Sequence, residues 1–162
     1  MNAFTLTPGT VSIRFGASSL TQLPELIAAQ SSIKPFIVTD PGVAGAGVLA
    51  KVEAILSSAG INTASFAGIK PNPTTHLIDE AAREAISFGA DCIIALGGGS
   101  SLDSAKGIAL VVANPTFSSA RFDYTITPEK PAVPIIAIPT TSGTGSETNN
   151  WGVIDDPIRQ CK

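Results

Sequence analysis

The sequence is poor in the residues that build disulfide frameworks and metal sites. Its 162 residues include two cysteines and one histidine. Cys92 and Cys161 lie far apart and form no C-x-x-C pair, so neither a disulfide framework nor a zinc site is predicted. The histidine, His76, has no acidic or cysteine residues beside it at metal-ligand spacing. We therefore predict no metal site, and we expect Cys92 to pack in a strand and His76 to lie exposed in the first turn of a helix.

Charge is also scarce, and long apolar runs are missing. Charged residues make up 14% of the sequence, and ten basic against 13 acidic residues give a formal net charge of −3. Because these charges are scattered, no basic patch indicates a nucleic acid or an anionic membrane as a partner. No apolar stretch reaches the roughly 18 residues of a membrane-spanning helix, and no basic segment followed by an apolar one marks a secretory signal. The sequence thus predicts a cytoplasmic protein without nucleic-acid or membrane partners.

What the sequence does contain is an alternation of short apolar runs with longer segments of helical spacing. This alternation is typical of βαβ units around a parallel sheet, so we predict an α/β fold in one domain, residues 1–162. Residues 11–15 alternate apolar and polar side chains after a turn at 7–10, which predicts an opening β-hairpin. Further strands are predicted at 35–39, 61–66, 92–96 and 134–139, all but the second of them buried. Helices are predicted at 20–30, 43–59, 77–86 with a stop at Gly89, and 101–113. The third of these carries one apolar stripe, made of Leu77, Ile78, Ala81, Ala82, Ala85 and Ile86.

The most informative motif is the run Gly97-Gly98-Gly99-Ser100, which links the strand at 92–96 to a helix. Glycines there let the backbone approach a phosphate, and a helix N-terminus supplies free N–H donors and a favourable dipole. Ser100 is placed to cap the helix, and Asp103 to return a hydrogen bond as in a capping box. The run fits neither the G-x-G-x-x-G fingerprint nor the P-loop. A simple tight turn is therefore the alternative to a pyrophosphate site.

Other polar residues are expected at the same edge of the sheet. The loop 140–146 follows the strand at 134–139 and carries five hydroxyl groups and two glycines. Open parallel sheets bind ligands outside the carboxyl ends of their strands, although such a loop is also typical of a flexible connection. Asp40 ends the strand at 35–39, where a carboxylate accepts from ribose hydroxyls and repels a 2′-phosphate; capping the next helix is the alternative. Asn72-Pro73 predicts a turn before a helix capped by Thr74 or Thr75.

No catalytic group emerges from the residues themselves. The sequence has no Ser-His-Asp set and no isolated pair of carboxylates, so it gives no indication of hydrolysis. It predicts binding of a phosphate-bearing ligand without a visible nucleophile or base.

Two stretches, 97–106 and 139–147, closely resemble the signature segments of the iron-containing, group III alcohol dehydrogenases. Segments 38–40, 71–74 and 153–156 fit the same family in the expected order, so the resemblance covers essentially the whole chain. It implies a Rossmann-like NAD(P)-binding domain of the dehydroquinate synthase and iron-containing alcohol dehydrogenase type. In that family a hydride passes between an alcohol and the nicotinamide, with a divalent metal as Lewis acid. The resemblance also implies a helical metal-binding domain, which we expect after residue 162 of the parent enzyme and absent from this chain, so that the fragment alone is inactive.

The resemblance assigns the cofactor to specific positions. Asp40 would meet the adenosine ribose, the glycine run would hold the pyrophosphate, and the threonines of the loop 140–146 would lie along the nicotinamide half. Asn72 would lie near the cofactor, and Lys162 aligns with a lysine that contacts it in some members. The ten predicted cofactor-binding residues are Asp40, Asn72, Gly98, Gly99, Ser100, Asp103, Thr140, Thr141, Thr144 and Lys162.

The resemblance also predicts cofactors and partners. Asp40 favours NAD over NADP, and iron or zinc would be present in the full-length enzyme only. The expected partners are the dinucleotide, a small alcohol or aldehyde, and a second copy in a homodimer. After Glu147 the sequence departs from the family's usual Val-Thr and polar residue, so it predicts no substrate contacts near Trp151. The alternatives are a truncated nucleotide-binding module without catalysis, or a relative of glycerol dehydrogenase or maleylacetate reductase.

Overall fold

A parallel sheet of four strands forms the centre of the molecule. The computed structural model describes residues 4–6, 11–121 and 127–159. The strands are β3 (Pro35–Val38), β4 (Ala64–Phe66), β5 (Cys92–Gly97) and β6 (Ile135–Pro139), in the order β4-β3-β5-β6. Every neighbouring pair in this sheet is parallel. The predicted α/β fold with a parallel sheet is therefore confirmed.

Helices cover both faces of the sheet because the side chains of β3 and β5 alternate between two cores. Phe36 and Ile93 face helices α4 (Thr75–Phe88) and α5 (Gly99–Ala113). Ile37 and Ile94 face the opposite way and pack against α1 (Leu23–Ala29) and α3 (Val48–Ser58). Both strands are buried along their whole length, as their continuous apolar sequences predict.

A two-stranded antiparallel sheet lies outside this core. It pairs β1 (Phe4–Leu6) with β2 (Ile13–Phe15), and Leu6 stands opposite Ile13. The predicted opening hairpin is thus confirmed, while the turn at 7–10 lies outside the described residues. Of the helices in the described part of the chain, none is long and apolar enough to cross a membrane.

The structure corrects three predictions about single elements. The helix predicted at 43–59 is two helices, α2 (Pro41–Gly45) and α3, because Gly47 adopts a left-handed backbone with φ 78° between them. Ile86 was expected on the buried stripe of α4 but is 38% exposed, since the stripe ends at Ala85. The strand β6 was expected to be buried, yet it forms the edge of the sheet and Ile135 is 37% exposed.

Candidate functional site

The loops that follow β3, β5 and β6 meet at one edge of the sheet. Parallel strands end on the same side, and the backbone N–H of Thr140 donates to the Gly97 carbonyl at 2.9 Å, which holds the last two loops together. Two clefts open there. The first cleft has a volume of about 590 Å³, the second about 250 Å³, and both are lined by Gly99 and Ser100. They therefore adjoin at the N-terminus of α5.

Nine of the ten predicted residues line one or other of these clefts. Besides the shared Gly99 and Ser100, the first cleft is lined by Asp40, Gly98, Thr140 and Thr141. The second cleft is lined by Asn72, Asp103 and Thr144. The tenth residue, Lys162, lies outside the described residues. Tertiary structure thus brings together positions that are spread over a hundred residues of sequence.

The beginning of α5 differs from its prediction. The helix starts at Gly99 with Gly98 as its N-cap, so Ser100 is the second helical residue and does not cap. The first hydrogen bond of the helix runs from the Leu102 N–H to the Gly98 carbonyl. The N–H groups of Gly99, Ser100 and Ser101 therefore have no partner within the helix, which leaves three donors at the junction of the clefts.

Gly97 explains why the chain turns so sharply into this helix. Its φ is +148°, a conformation that L side chains rarely adopt, and a Cβ there would lie 2.5 Å from the Ser101 hydroxyl oxygen. At Gly98 a Cβ would approach the Thr141 hydroxyl oxygen to 3.2 Å. The sharp turn thus requires glycine at Gly97, and the packing of Thr141 against Gly98 leaves little room for a side chain there.

Asp40 caps a helix, as one of the two alternatives from the sequence predicts, and it also lines the first cleft. Its Oδ1 accepts from the backbone N–H of Val43 at 3.0 Å and caps helix α2. Its Oδ2 accepts from the Ser101 hydroxyl at 3.2 Å, which ties the loop after β3 to α5. The same carboxylate-bearing residue lines the first cleft, so capping does not remove it from the site.

The structure corrects the predicted partner of Asp103. Instead of returning a bond to a cap at Ser100, its Oδ1 accepts from Lys106 Nζ at 3.2 Å and its Oδ2 accepts from the Val153 N–H at 3.1 Å. The capping-box prediction is therefore wrong, because the helix begins two residues earlier and places Asp103 beyond the reach of its cap. Asp103 instead joins the helix to a segment fifty residues later.

Asn72 occupies a left-handed turn beside the second cleft. Its φ is 52°, a value that asparagine adopts more readily than most residues. Thr74 then caps α4, its hydroxyl accepting from the Leu77 N–H, which confirms the predicted cap. The backbone of 73–75 pairs with Asp155, since the Asp155 N–H donates to the Pro73 carbonyl at 2.8 Å and the Thr75 N–H to the Asp155 carbonyl at 2.9 Å.

Several lining residues were not found by sequence reasoning. The most consequential is Lys70, an exposed cation at the first cleft; it follows β4, so its position after a predicted strand was the available signal. The others lie in α2, in the first turn of α5 or in loops, and several fall within the segments 71–74, 97–106, 139–147 and 153–156 without having been singled out there. They include Pro41, Gly42, Val43, Ile69 and Ser101 in the first cleft and Pro73, Ser146, Val153 and Asp155 in the second.

The remaining candidate residues lie away from the clefts. His76 is exposed in the first turn of α4, and Cys92 is buried at the opposite end of β5, both as predicted. Burial, together with the nearby Asp91 carboxylate, raises the pKa of the Cys92 thiol to about 12, so the thiol stays protonated near neutral pH. Across residues 4–6, 11–121 and 127–159, no group of three or more His, Cys, Asp or Glu side chains is placed to hold a metal ion.

Comparison with known proteins gives concordant matches. The family model described as iron-containing alcohol dehydrogenase matches residues 10–162. The lactaldehyde reductase of Escherichia coli (strain K12) is 38% identical over 148 residues, which are 90% of this chain and 39% of that protein. The chain therefore spans about two fifths of the length of that curated relative.

Solved structures resemble the fold over similar portions. An archaeal halo-thermophilic alcohol dehydrogenase from a Red Sea brine pool, bound to NZQ, superposes with a TM-score of 0.82 at 36% identity, covering 89% of this chain and 38% of that one. The sulfoacetaldehyde reductase from Bifidobacterium kashiwanohense, in complex with NAD⁺, superposes with a TM-score of 0.80 at 27% identity. The match covers 91% of this chain and 39% of that one.

Proposed function

Since this chain belongs to the iron-containing alcohol dehydrogenase family, we propose that it binds a nicotinamide dinucleotide as part of an enzyme that interconverts a small alcohol and its carbonyl compound. The observation that carries this proposal is the meeting of two clefts at the N-terminus of α5. A dinucleotide has two nucleoside halves joined by a pyrophosphate, so the junction of two clefts suits its shape.

The pyrophosphate is assigned to the junction. Three backbone N–H groups and the positive end of the α5 dipole lie there, and both favour an anion. Gly98 and Gly99 present no side chains that would keep a phosphate away from the backbone. Lys70 adds a positive charge on the rim of the first cleft.

The adenosine half is assigned to the first cleft and the nicotinamide half to the second. Asp40 in the first cleft would accept from the ribose hydroxyls and repel a 2′-phosphate, which favours NAD over NADP. Thr140 and Thr141 line the same cleft as Asp40, so this assignment moves them from the nicotinamide half to the adenosine and pyrophosphate half. Thr144 remains with the nicotinamide, and Asn72 and Asp103, which line the same cleft, are assigned to that half as well.

The bound nicotinamide supplies the hydride acceptor or donor, and the residues of this chain bind and orient it. No step is assigned to a metal, because the described residues hold no ligand set for one. Iron or zinc, a homodimer and a cytoplasmic location remain proposals for the whole protein. The family match over residues 10–162 favours the dehydrogenase over a stand-alone module, and a glycerol dehydrogenase relative is consistent with it.

Cofactor choice provides the direct test. NAD and NADP are titrated calorimetrically against the wild-type chain and against Asp40→Asn, since Asn caps a helix about as well as Asp. We expect wild type to prefer NAD and the variant to gain at least about tenfold in NADP affinity relative to NAD, equivalent to about 1.4 kcal/mol.

The exposed Glu80 on α4 provides a matched control, because Glu80→Gln removes the same charge away from both clefts. If wild type and Asp40→Asn showed the same ratio of NAD to NADP affinity, Asp40 would not select between the two dinucleotides. Failure of wild type to bind either dinucleotide would reject the proposed function.

A further inference from the structure

The side chain of Lys106 joins helix α5 to the segment 149–153. Its Nζ donates to Asp103 Oδ1 at 3.2 Å, to Asn149 Oδ1 at 3.1 Å and to the backbone carbonyl of Trp151. An ammonium group has three N–H donors, so these contacts use all of them. The side chains of Lys106 and Asp103 are 15% and 14% exposed, whereas Asn149 and Trp151 are exposed.

Asp103 makes a second connection between the same two elements. Its Oδ2 accepts from the Val153 N–H at 3.1 Å, and a Cβ at Gly152 would lie 3.2 Å from the Asp103 carbonyl oxygen. Asp103 and Val153 both line the second cleft. The wall of this cleft therefore depends on how the segment 149–153 is held against α5.

We propose that Lys106 is a positioning residue, which latches the segment 149–153 onto α5 and so shapes the second cleft for the nicotinamide half of the cofactor. This inference rests on the proposed function for the identity of the ligand. Lys106 itself lines neither cleft, so it acts through Asp103 and the segment. Loss of the latch should therefore impair the second cleft and leave the first cleft intact.

Two ligands separate the clefts experimentally. NAD reaches both, whereas ADP-ribose carries the adenosine, the pyrophosphate and the second ribose without the nicotinamide ring. In the 162-residue chain, we expect Lys106→Met to lower the affinity for NAD at least fivefold more than the affinity for ADP-ribose. Lys106→Arg keeps the charge and several donors, and should restore part of this difference.

The position of the segment is read out without any ligand. Trp151 is the only tryptophan, and its backbone carbonyl is one of the latch acceptors. We expect the fluorescence anisotropy of Trp151 to fall in Lys106→Met, because the segment gains freedom. Lys51→Met removes the same group from an exposed position on α3 and should leave both readouts at wild-type values.

The outcomes are distinct. Equal losses for NAD and ADP-ribose, or unchanged Trp151 anisotropy, would overturn the latch. If Lys106→Met does not fold, Lys106→Gln, which keeps a shorter, uncharged donor, should move both readouts in the same direction to a smaller extent; its failure to do so overturns the proposal. If wild type binds neither ligand, the proposed function fails, and the anisotropy of the unliganded variants still decides whether the latch exists.

Discussion

Gly97 is the residue on which the geometry of the site most directly depends. It ends β5, and its unusual backbone conformation lets α5 begin after a single further residue, Gly98. A side chain there would meet both the Ser101 hydroxyl and, at 3.0 Å, the Asp40 carboxylate. The contact between the loop after β3 and the start of α5 therefore requires a glycine at this position.

Replacing Gly97 with alanine should lower the free energy of unfolding by about 2–4 kcal/mol. The unfavourable backbone conformation contributes about 1–3 kcal/mol, and the overpacking against Ser101 adds to it. Gly47→Ala is the matched control: Gly47 also has a positive φ, but a Cβ there meets nothing within 4 Å. Urea unfolding measures both variants, and equal losses would show that the packing against Ser101 contributes nothing.

Cys92 should give the stability of the protein a measurable pH dependence. Its pKa is raised from 9.0 to about 12 in the folded state, so the unfolded chain loses the thiol proton first. The stability contributed by the protonated thiol is complete below pH 9 and is lost as the pH rises toward 12. We expect an extra loss of about 1 kcal/mol between pH 9 and pH 10 in wild type compared with Cys92→Ala. Parallel pH profiles of the two proteins in urea unfolding would contradict this.

At the level of elements, α5 performs two tasks with different parts of its length. Its first turn presents free N–H groups to the junction of the clefts, while Asp103 and Lys106 in the following turns hold the segment 149–153. Its apolar face packs against the sheet and α4 through residues such as Leu102 and Ile108. The helix thus connects the core to both clefts.

A carboxylate placed in the first turn of α5 should separate stability from binding. In Ser100→Asp the new charge lies near the helix N-terminus and should stabilise the fold by about 0.3–1 kcal/mol. It would also occupy and electrostatically oppose the position assigned to the pyrophosphate, so NAD binding should fall at least about tenfold. Ser100→Asn, of nearly the same size and without charge, should retain more affinity. Thermal unfolding and calorimetric titration test the two effects, and undiminished NAD binding in Ser100→Asp would argue against a pyrophosphate at this turn.

At the scale of the whole molecule, the chain is less than half as long as the relatives it resembles. The described residues build two clefts but no group of metal ligands, and the full sequence has a single histidine. The chain spans 38–39% of the relatives and structures compared above. Catalysis that depends on a metal would need ligands from beyond these residues.

The 162-residue chain is accordingly expected to bind NAD without oxidising an alcohol. Supplied with NAD, a small primary alcohol and either Fe²⁺ or Zn²⁺, it should give no NADH above a protein-free control, measured by absorbance. Calorimetry on the same preparation establishes whether NAD is bound. Metal-dependent formation of NADH by this chain would contradict the prediction and imply a ligand set that the described residues do not contain.

Local patterns in the sequence, together with the family resemblance, were sufficient to predict the fold class and to group most of the named residues at the clefts. The strands β3 and β5 are continuous apolar runs because both of their faces are buried, and their ends are marked by Asp40 and the glycine run. Since parallel strands place their carboxyl ends at one edge, a reader of the sequence can group the residues that follow them. The nine cleft residues were found in this way, together with the family resemblance.

Only the tertiary structure decided which partners these residues have. The carboxylate of Asp103 is bound by a neighbour on its own helix and by Val153, and Asp40 reaches Ser101 across 61 positions. The edge position of β6 and the start of α5 at Gly99 likewise depend on contacts between separate elements. The periodicity of a sequence indicates which face of an element is apolar, but it does not indicate which distant residues form hydrogen bonds with each other. The sequence by itself therefore determined which residues gather at the carboxyl edge of the sheet, and the folded chain determined how the walls of the clefts there are held.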